Sequence, residues 1–238
     1  MQRFFVENSL DDQYIITDIS WIHQISRVLR ARIGDEILLF QENGNERKYT
    51  IQSIEKKKII LNAESEITPH NTKQKHTITL YQSIPNKWEK CEYIIQKAVE
   101  IGVEKIVFFP SKRSQYKIIP EKKKLRWQEI AREALEQCGG YQPIILEYKD
   151  SFESIEIDPN SKNILFHTKD ASSSIEIFYK KAQKKYGIWV GPEGGWEESE
   201  IDNMNKKGFI TVRFGERILR TETVGIVVAF SILYSFAD

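Results

Sequence analysis

The stretch GIWVGPEGGW, residues 187–196, decides the fold class because an apolar strand pattern runs directly into a glycine-rich turn. Gly187–Val190 predicts a buried strand, and Gly191, Gly194 and Gly195 follow it. Glycine allows positive φ and a close approach of the backbone to a ligand. Neither Gly-Lys-Ser/Thr nor Gly-x-Gly-x-x-Gly is present, which excludes a Walker loop and the usual dinucleotide loop. A tight turn without any ligand explains the glycines equally well.

A carboxylate stands inside this turn, at Glu193. Such a group is costly to hold against backbone unless it is hydrogen-bonded or used. It can attract a cationic ligand or accept ribose hydroxyls. It can also be a carboxylate at a helix N-terminus, which the helix dipole favours.

A second loop, RFGERILRTET at residues 213–223, follows another predicted strand, Ile210–Phe214. Thr221 is expected to cap the last helix, with Glu222 in its first turn. Ile218 and Leu219 are apolar residues between charged neighbours, so they should pack on an adenine ring, on the domain's own core or on a second subunit. Arg217 and Arg220 each offer a planar fork of donors for a phosphate or a base carbonyl.

From residue 77 onward, strand and helix patterns alternate. This alternation predicts a mostly parallel sheet covered on both faces, with ligands beyond the carboxyl ends of the strands. We assign residues 77–238 to this domain. The expected strands are residues 77–82, 106–110, 144–147, 163–167, 187–190 and 210–214, and the expected helices are residues 87–101, 121–138, 172–186, 198–207 and 222–236.

Residues 1–70 predict a small β-barrel, because short β-prone pieces alternate with turn signals. One helix, capped by Ser20, interrupts them. Residues 64–76 are polar and predict a linker. The predicted strands are residues 3–6, 14–17, 36–40, 48–53 and 59–63.

Composition excludes several classes of protein. The net charge of +1 argues against a globally basic nucleic-acid binder. Cys91 and Cys138 are far apart and form no metal or disulfide motif, so no metal is expected. The N-terminus has no signal-peptide pattern. The longest uncharged run, residues 223–237, predicts a buried helix and no membrane span.

Six segments together resemble the SPOUT class of RNA methyltransferases, and within it the 16S rRNA (uracil-N3)-methyltransferase family. Any one of them is modest evidence, but all six occur in the right order over essentially the whole chain. They are RFFV at residues 3–6, His23 with RVLR at 27–30, QKAVEIGV at 96–103, EALEQ at 133–137, GPEGG at 191–195 and RILRTET at 217–223.

The resemblance implies a PUA-like β-barrel for RNA at residues 1–70 and a knotted α/β SPOUT domain, with a trefoil knot, at residues 77–238. It implies S-adenosylmethionine as cofactor and methylation of N3 of a uridine in 16S rRNA of the small ribosomal subunit. A homodimer in the cytoplasm is expected. A SPOUT enzyme acting on tRNA or on a ribose 2′-hydroxyl, and a catalytically inactive RNA-binding module, are the alternatives.

The resemblance also implies the site residues. We expect Arg220 to stabilise the base anion, and Glu193 or Glu222 to accept the proton. The expected RNA-binding residues are Arg3, His23, Arg27, Arg30 and Arg32. The expected cofactor-binding residues are Phe166, His167, Gly191, Pro192, Glu193, Gly194, Gly195, Phe214, Gly215, Ile218, Leu219 and Thr223.

Four positions depart from the family pattern. Residues 138–143 lack the Ser and Arg that are usual there, so an RNA-facing arginine is missing. Phe214-Gly215-Glu216 replaces a more usual Leu-Gly. Glu197 stands where a Ser or Thr cap is common, which predicts a weaker cap. Val224-Gly225 replaces an alanine-rich helix start.

Overall fold

The computed structural model describes residues 1–72, 74–167, 173–174, 183–213 and 215–235. The chain divides into two compact units. The first comprises Met1–Lys73 and Leu135–Gln142, and the second comprises Gln74–Ala134 and Pro143–Asp238. No local pattern in the sequence indicates that a segment after residue 134 folds with the first unit.

The first unit is a mixed sheet around one core. In the described residues the strand order is β1-β3-β4-β5-β2, with β6 on β4. β1 runs parallel to β3, and the other pairs are antiparallel. All five predicted strands are present. The elements are β1 (Gln2–Phe5), β2 (Gln13–Ile16), α1 (Ile19–His23), β3 (Glu36–Phe40), β4 (Asn45–Ile54), β5 (Ile59–Ala63) and β6 (Thr68–Pro69).

Two predictions for this unit need correction. Asp18, and not Ser20, caps α1, because its carboxylate accepts from the backbone N–H groups of Ser20 and Trp21 at 2.7 and 3.2 Å. The predicted linker is partly wrong as well, because β6 lies inside it. Pairing with Asn45 and Glu46 orders these polar residues.

The second unit carries a parallel sheet of order β11-β13-β10-β12-β7-β8-β9 in the described residues. Its strands are β7 (Thr77–Ser83), β8 (Lys105–Phe109), β9 (Ile145–Tyr148), β10 (Lys162–Phe166), β11 (Ser173–Ser174), β12 (Lys185–Val190) and β13 (Ile210–Arg213). Its helices are α2 (Trp88–Ile101), α3 (Glu121–Cys138), α4 (Glu198–Lys206) and α5 (Thr221–Ser235), and the last residues of α3 belong to the first unit. The predicted alternation of strands and helices is confirmed for these elements.

The helix predicted over residues 172–186 is wrong wherever the structure describes it. Ser173–Ser174 pairs with β13, and Lys185 and Tyr186 begin β12. Tyr186 is buried and pairs with Ile78 of β7. Strand β12 therefore begins two residues before Gly187, where the predicted strand began. Residue 172 and residues 175–182 of that prediction lie outside the described residues.

Strand register brings the loops of interest to one edge of the sheet. Phe166 at the end of β10 is level with Val190 of β12 and Val212 of β13, and Val190 is level with Gln82 of β7. The segments that follow these strands therefore leave the sheet side by side.

Glycine at position 225 has a packing reason. A Cβ there would lie 2.8 Å from Leu80 Cδ1 and 3.4 Å from Val190 Cγ2. The unusual helix start therefore lets α5 lie directly against the sheet. In the described residues, no helix combines the length and the apolar character needed to cross a membrane.

Candidate functional site

A cavity of about 720 Å³ opens at this edge of the sheet. That volume lies within the usual range of small-molecule sites, about 300–1,000 Å³. Its lining includes most of the residues predicted to bind a cofactor, namely Phe166, His167, Gly191, Pro192, Glu193, Gly194, Gly195, Ile218 and Leu219, together with Arg220. Gly215, Glu222 and Thr223 are not among the lining residues, and Phe214 lies outside the described residues.

The glycine-rich turn follows β12 and needs its small residues. Gly195 has φ +67°, and its N–H donates to the carbonyl of Pro192 at 2.8 Å. A Cβ on Gly191 would lie 3.1 Å from the ring of Trp196. That ring is held in place because Trp196 Nε1 donates to the carbonyl of Phe166 at 3.1 Å. A side chain at Gly191 would press on the Trp196 ring, whereas one at Gly195 would strain a backbone with positive φ.

A buried hydroxyl joins the two predicted loops. Thr221 Oγ1 donates to the carbonyl of Gly191 at 2.6 Å and accepts from Gln82 Nε2 at 3.0 Å. The sequence assigned this side chain to capping the last helix, and that assignment is wrong. The hydroxyl fixes the glycine-rich turn to the start of α5, and Thr221 is itself the first helical residue.

Lys90, in the first turn of α2, holds both candidate carboxylates. Its Nζ lies 2.5 Å from Glu193 Oε1 and 3.5 Å from Glu222 Oε2. Burial lowers the pKa of Lys90, but the hydrogen bond and charge of Glu193 and the charge of Glu222 raise it more, so the net pKa lies above the ordinary 10.5. Asn86 also donates its N–H to Glu193 Oε2 at 3.0 Å. Glu193 is thus held by one donor from the loop between β7 and α2 and by one from the first turn of α2.

The segment after β8 supports the other side of the turn. Arg113 Nη1 donates to the carbonyl of Gly194 at 2.9 Å. Nearby, the Glu200 carboxylate accepts from the N–H of Lys112 at 2.9 Å and from the N–H of Glu197 at 2.9 Å. Glu197 is the N-cap residue of α4, and Glu200 supports the start of the helix by accepting from its N–H, a contact that the weaker cap predicted at Glu197 did not include.

Sequence reasoning missed several lining residues, including Lys90, Arg113, Trp196 and Arg213. Arg113 could have been found, because its loop follows a strand of the same parallel sheet and therefore leaves at the same edge. Nothing in the sequence marked Lys90 as a site residue, because it lies within a predicted helix and not in a loop that follows a strand.

Arg220 and Ile218 are both strongly exposed at the cavity. The Arg220 side chain is 83% exposed, and its Nη1 lies 3.9 Å from Glu222 Oε1. Ile218 is 78% exposed, so neither the domain's core nor any other described residue covers it. An apolar side chain in that position is free to contact a ligand or a second subunit.

The predicted RNA-binding residues fall into two groups. His23, Arg27, Arg30 and Arg32 are exposed on the first unit. Arg3 differs, because its side chain is only 16% exposed, lies 3.9 Å from Glu46 and stacks over Phe40. Tyr141 lies in the segment 138–143, which departs from the family pattern. It donates to Glu46 at 2.7 Å and joins this packed cluster.

Among the described residues, no three His, Cys, Asp or Glu side chains are grouped closely enough to hold a metal.

Comparison with known proteins agrees with this architecture. The model of the RNA methyltransferase domain matches residues 72–233, and that of the RNA methyltransferase PUA domain matches residues 25–64. The chain is 33% identical over 243 residues to ribosomal RNA small subunit methyltransferase E of Buchnera aphidicola, covering 99% of this chain and 94% of that protein.

Two solved structures share the fold over 98% of this chain and 96% of theirs. One is ribosomal RNA small subunit methyltransferase E of Neisseria gonorrhoeae bound to S-adenosyl methionine, with 27% identity and a TM-score of 0.84. The other, from Legionella pneumophila in complex with the bound cofactor SAM, has 26% identity and a TM-score of 0.87.

These matches confirm a PUA-like first unit followed by an α/β SPOUT methyltransferase unit, while the trefoil knot stays a prediction. The chain belongs to the RNA methyltransferase family whose curated relatives are named ribosomal RNA small subunit methyltransferase E.

Proposed function

We propose that this protein uses S-adenosylmethionine to methylate N3 of a specific uridine in 16S rRNA of the small ribosomal subunit, giving 3-methyluridine. The observation that carries the proposal is the single cavity to which the glycine-rich turn and the Arg220 loop both contribute. The names of the relatives, and the cofactor bound in two similar structures, support it.

The residues of the cavity fit the cofactor. Phe166, Val190, Ile218, Leu219 and Val224 supply an apolar wall suited to an adenine ring. The glycine-rich turn leaves backbone groups open to the ribose and the amino acid part. When bound, S-adenosylmethionine supplies an electrophilic methyl group on a sulfonium centre.

For the uracil, we propose that Arg220 stabilises the anion that forms when N3 loses its proton. Negative charge then spreads to the neighbouring carbonyl oxygens, and a guanidinium can donate to them in a planar fork. The high exposure of Arg220 suits this role, because the group is open to an incoming base.

The contacts of the two carboxylates favour a positioning role over that of a proton acceptor. Glu193 already accepts from Lys90 and from the N–H of Asn86. The Glu222 side chain is 14% exposed and pairs with Lys90. Both carboxylates therefore already have a cationic partner within the protein, which suits groups that position the cavity wall.

Three further parts of the proposal concern binding and assembly. His23, Arg27, Arg30 and Arg32 form an exposed basic surface for RNA phosphates on the PUA-like unit.

A homodimer is supported by α5, where Phe230 and Tyr234 are 50% and 54% exposed. Their rings stack with centroids 4.6 Å apart, and a second copy would cover them. The cytoplasm is the expected compartment.

Two measurements test the proposed function. Calorimetry should show one S-adenosylmethionine bound per chain. Mass spectrometry of small-subunit rRNA from a strain lacking the gene should show loss of one 3-methyluridine. Loss of a ribose-methylated nucleoside instead, or of a modified tRNA nucleoside, would contradict the assignment to uracil N3.

A further inference from the structure

The lining of the cavity concentrates positive charge. Five of its residues are cationic, and two, Glu193 and Glu198, are anionic. The described lining therefore has a net charge of +3, whereas the whole chain has +1, so all other residues together carry −2. The cationic residues are Lys90, Arg113, Arg213, Arg217 and Arg220.

Three of these cations already have a role within the protein. Lys90 pairs with Glu193 and Glu222. Arg113 donates to the carbonyl of Gly194 and lies 4.0 Å from Glu197. Arg220 lies 3.9 Å from Glu222.

Arg213 and Arg217 are different, because no described carboxylate neutralises them. Arg213 is the last residue of β13, and its Nη2 donates to the neutral carbonyl of Glu216 at 3.1 Å. Arg217 has no hydrogen bond or ion pair with any residue that the structure describes. Both residues are exposed at the cavity.

The cofactor alone does not account for this surplus. S-adenosylmethionine carries a sulfonium cation and an ammonium group against one carboxylate, so a strongly positive lining repels it overall. A polyanion has the opposite preference. Arginine suits phosphodiester groups in particular, because its fork of donors matches two phosphate oxygens.

We propose that Arg213 and Arg217 form a phosphate-binding rim, which holds the RNA backbone beside the target nucleotide at the mouth of the cavity. This inference rests on the proposed function, since it names where that substrate lies. It adds an RNA contact on the methyltransferase unit to the basic surface of the PUA-like unit. Phosphate contacts of this kind fix the position of the RNA without reading its sequence.

The test compares Arg213→Gln, Arg217→Gln and the double variant with the wild type. Binding to transcribed small-subunit rRNA is measured by filter retention over a range of salt concentrations, and S-adenosylmethionine affinity by calorimetry. Each single variant should lower the slope of log K against log salt by about 1, and the double variant by about 2. Cofactor affinity should stay within about twofold of the wild type, because the proposal assigns neither arginine to the cofactor.

Two controls make the result specific. Arg→Lys at each position keeps the charge and should keep the slope. Arg126→Gln removes an exposed arginine of α3 that pairs with Glu129 and Glu133 outside the cavity, and should leave the slope unchanged.

An unchanged slope in the double variant would overturn the rim. So would a large loss of cofactor affinity with a normal slope, because the arginines would then belong to the cofactor. Failure of the wild type to methylate small ribosomal subunits would instead sink the proposed function, and the RNA-binding slopes would still answer the question of the rim.

Discussion

Thr221 Oγ1 lies 2.6 Å from the carbonyl oxygen of Gly191 and donates a hydrogen bond to it. Gln82 Nε2 donates to the same hydroxyl from β7 at 3.0 Å. One buried threonine therefore joins the glycine-rich turn, the last helix and strand β7 of the sheet. The two loops that the sequence singled out form one cavity wall because of this contact.

Thr221→Val should weaken both the fold and the cofactor site. It keeps the shape of the side chain but leaves the Gly191 carbonyl without its partner, which costs about 1–3 kcal/mol in the free energy of unfolding. S-adenosylmethionine affinity should fall with it. Thr221→Ser should retain both properties. Thr211→Val, which removes a hydroxyl bonded to Asn205 Oδ1, should cost stability and leave cofactor affinity intact. Normal cofactor binding by Thr221→Val would contradict the linking role of the hydroxyl.

Lys90→Met should destabilise the protein by about 1.5–3 kcal/mol at neutral pH, because two carboxylates lose their shared cation. Since the folded pKa of Lys90 is raised, its contribution is fully present below the ordinary lysine pKa of 10.5 and is lost as pH rises through the folded value. The stability gap between wild type and variant should therefore be steady through neutral pH and close at strongly alkaline pH.

Thermal unfolding across pH checks this prediction. Lys90→Arg should restore most of the stability. Lys97→Met removes an exposed pair with Glu100 on the same helix and should cost under about 1 kcal/mol. If the stability difference between the wild type and Lys90→Met disappears already at pH 8, the ion pairs of Lys90 do not stabilise the protein.

Arg220→Ala should lower the methylation rate of 30S subunits by about 100-fold to 1,000-fold, the usual effect of removing one donor to a developing anion. Its side chain is 83% exposed, so the melting temperature should hardly change. Arg126→Ala serves as an exposed arginine control. Near-normal turnover by Arg220→Ala would remove this residue from the chemistry.

The two cysteines should differ sharply in reactivity. Cys91 is buried, and burial, with the charges of Glu193 and Glu92, raises the pKa of its thiol far above the ordinary value. Its thiolate fraction at pH 8 is therefore very small, whereas Cys138 is exposed. A disulfide reagent should titrate one thiol rapidly in the native protein and the second only after denaturation. Cys138→Ser should abolish the rapid phase; two rapid thiols would mean that α2 is open.

Phe230→Glu should shift the protein from dimer to monomer in sedimentation experiments. A charge on an apolar contact surface commonly weakens an interface by about 2 kcal/mol or more. Tyr93→Glu, on an exposed position of α2, is the matched control and should leave the assembly unchanged. A wild-type protein that is monomeric at micromolar concentration would contradict the proposed dimer.

The sequence was most informative where periodicity and turn chemistry agree. The helix at Glu121–Cys138 was predicted to the residue, and the buried stripe of Trp127, Ala131 and Ala134 confirms its inward face. Cys138, the last residue of that helix, is exposed and belongs to the first unit.

Long-range pairings were beyond the reach of the sequence. Lys90, Glu193 and Glu222 lie on three separate segments, and only the folded sheet brings their charges together. The same holds for Tyr141 and Glu46 in the first unit. Local sequence patterns cannot predict which charged side chains pair, because each of them could equally well face solvent.

The most direct measurement of the central claim is the identity of the nucleoside that the purified protein makes. 30S subunits from a strain lacking the gene are incubated with the protein and methyl-labelled S-adenosylmethionine, and the rRNA is digested and analysed by mass spectrometry. We predict label in one 3-methyluridine per subunit and none in ribose. Label in a 2′-O-methyl nucleoside would contradict the account. So would the absence of any label in the rRNA when the same protein preparation binds S-adenosylmethionine.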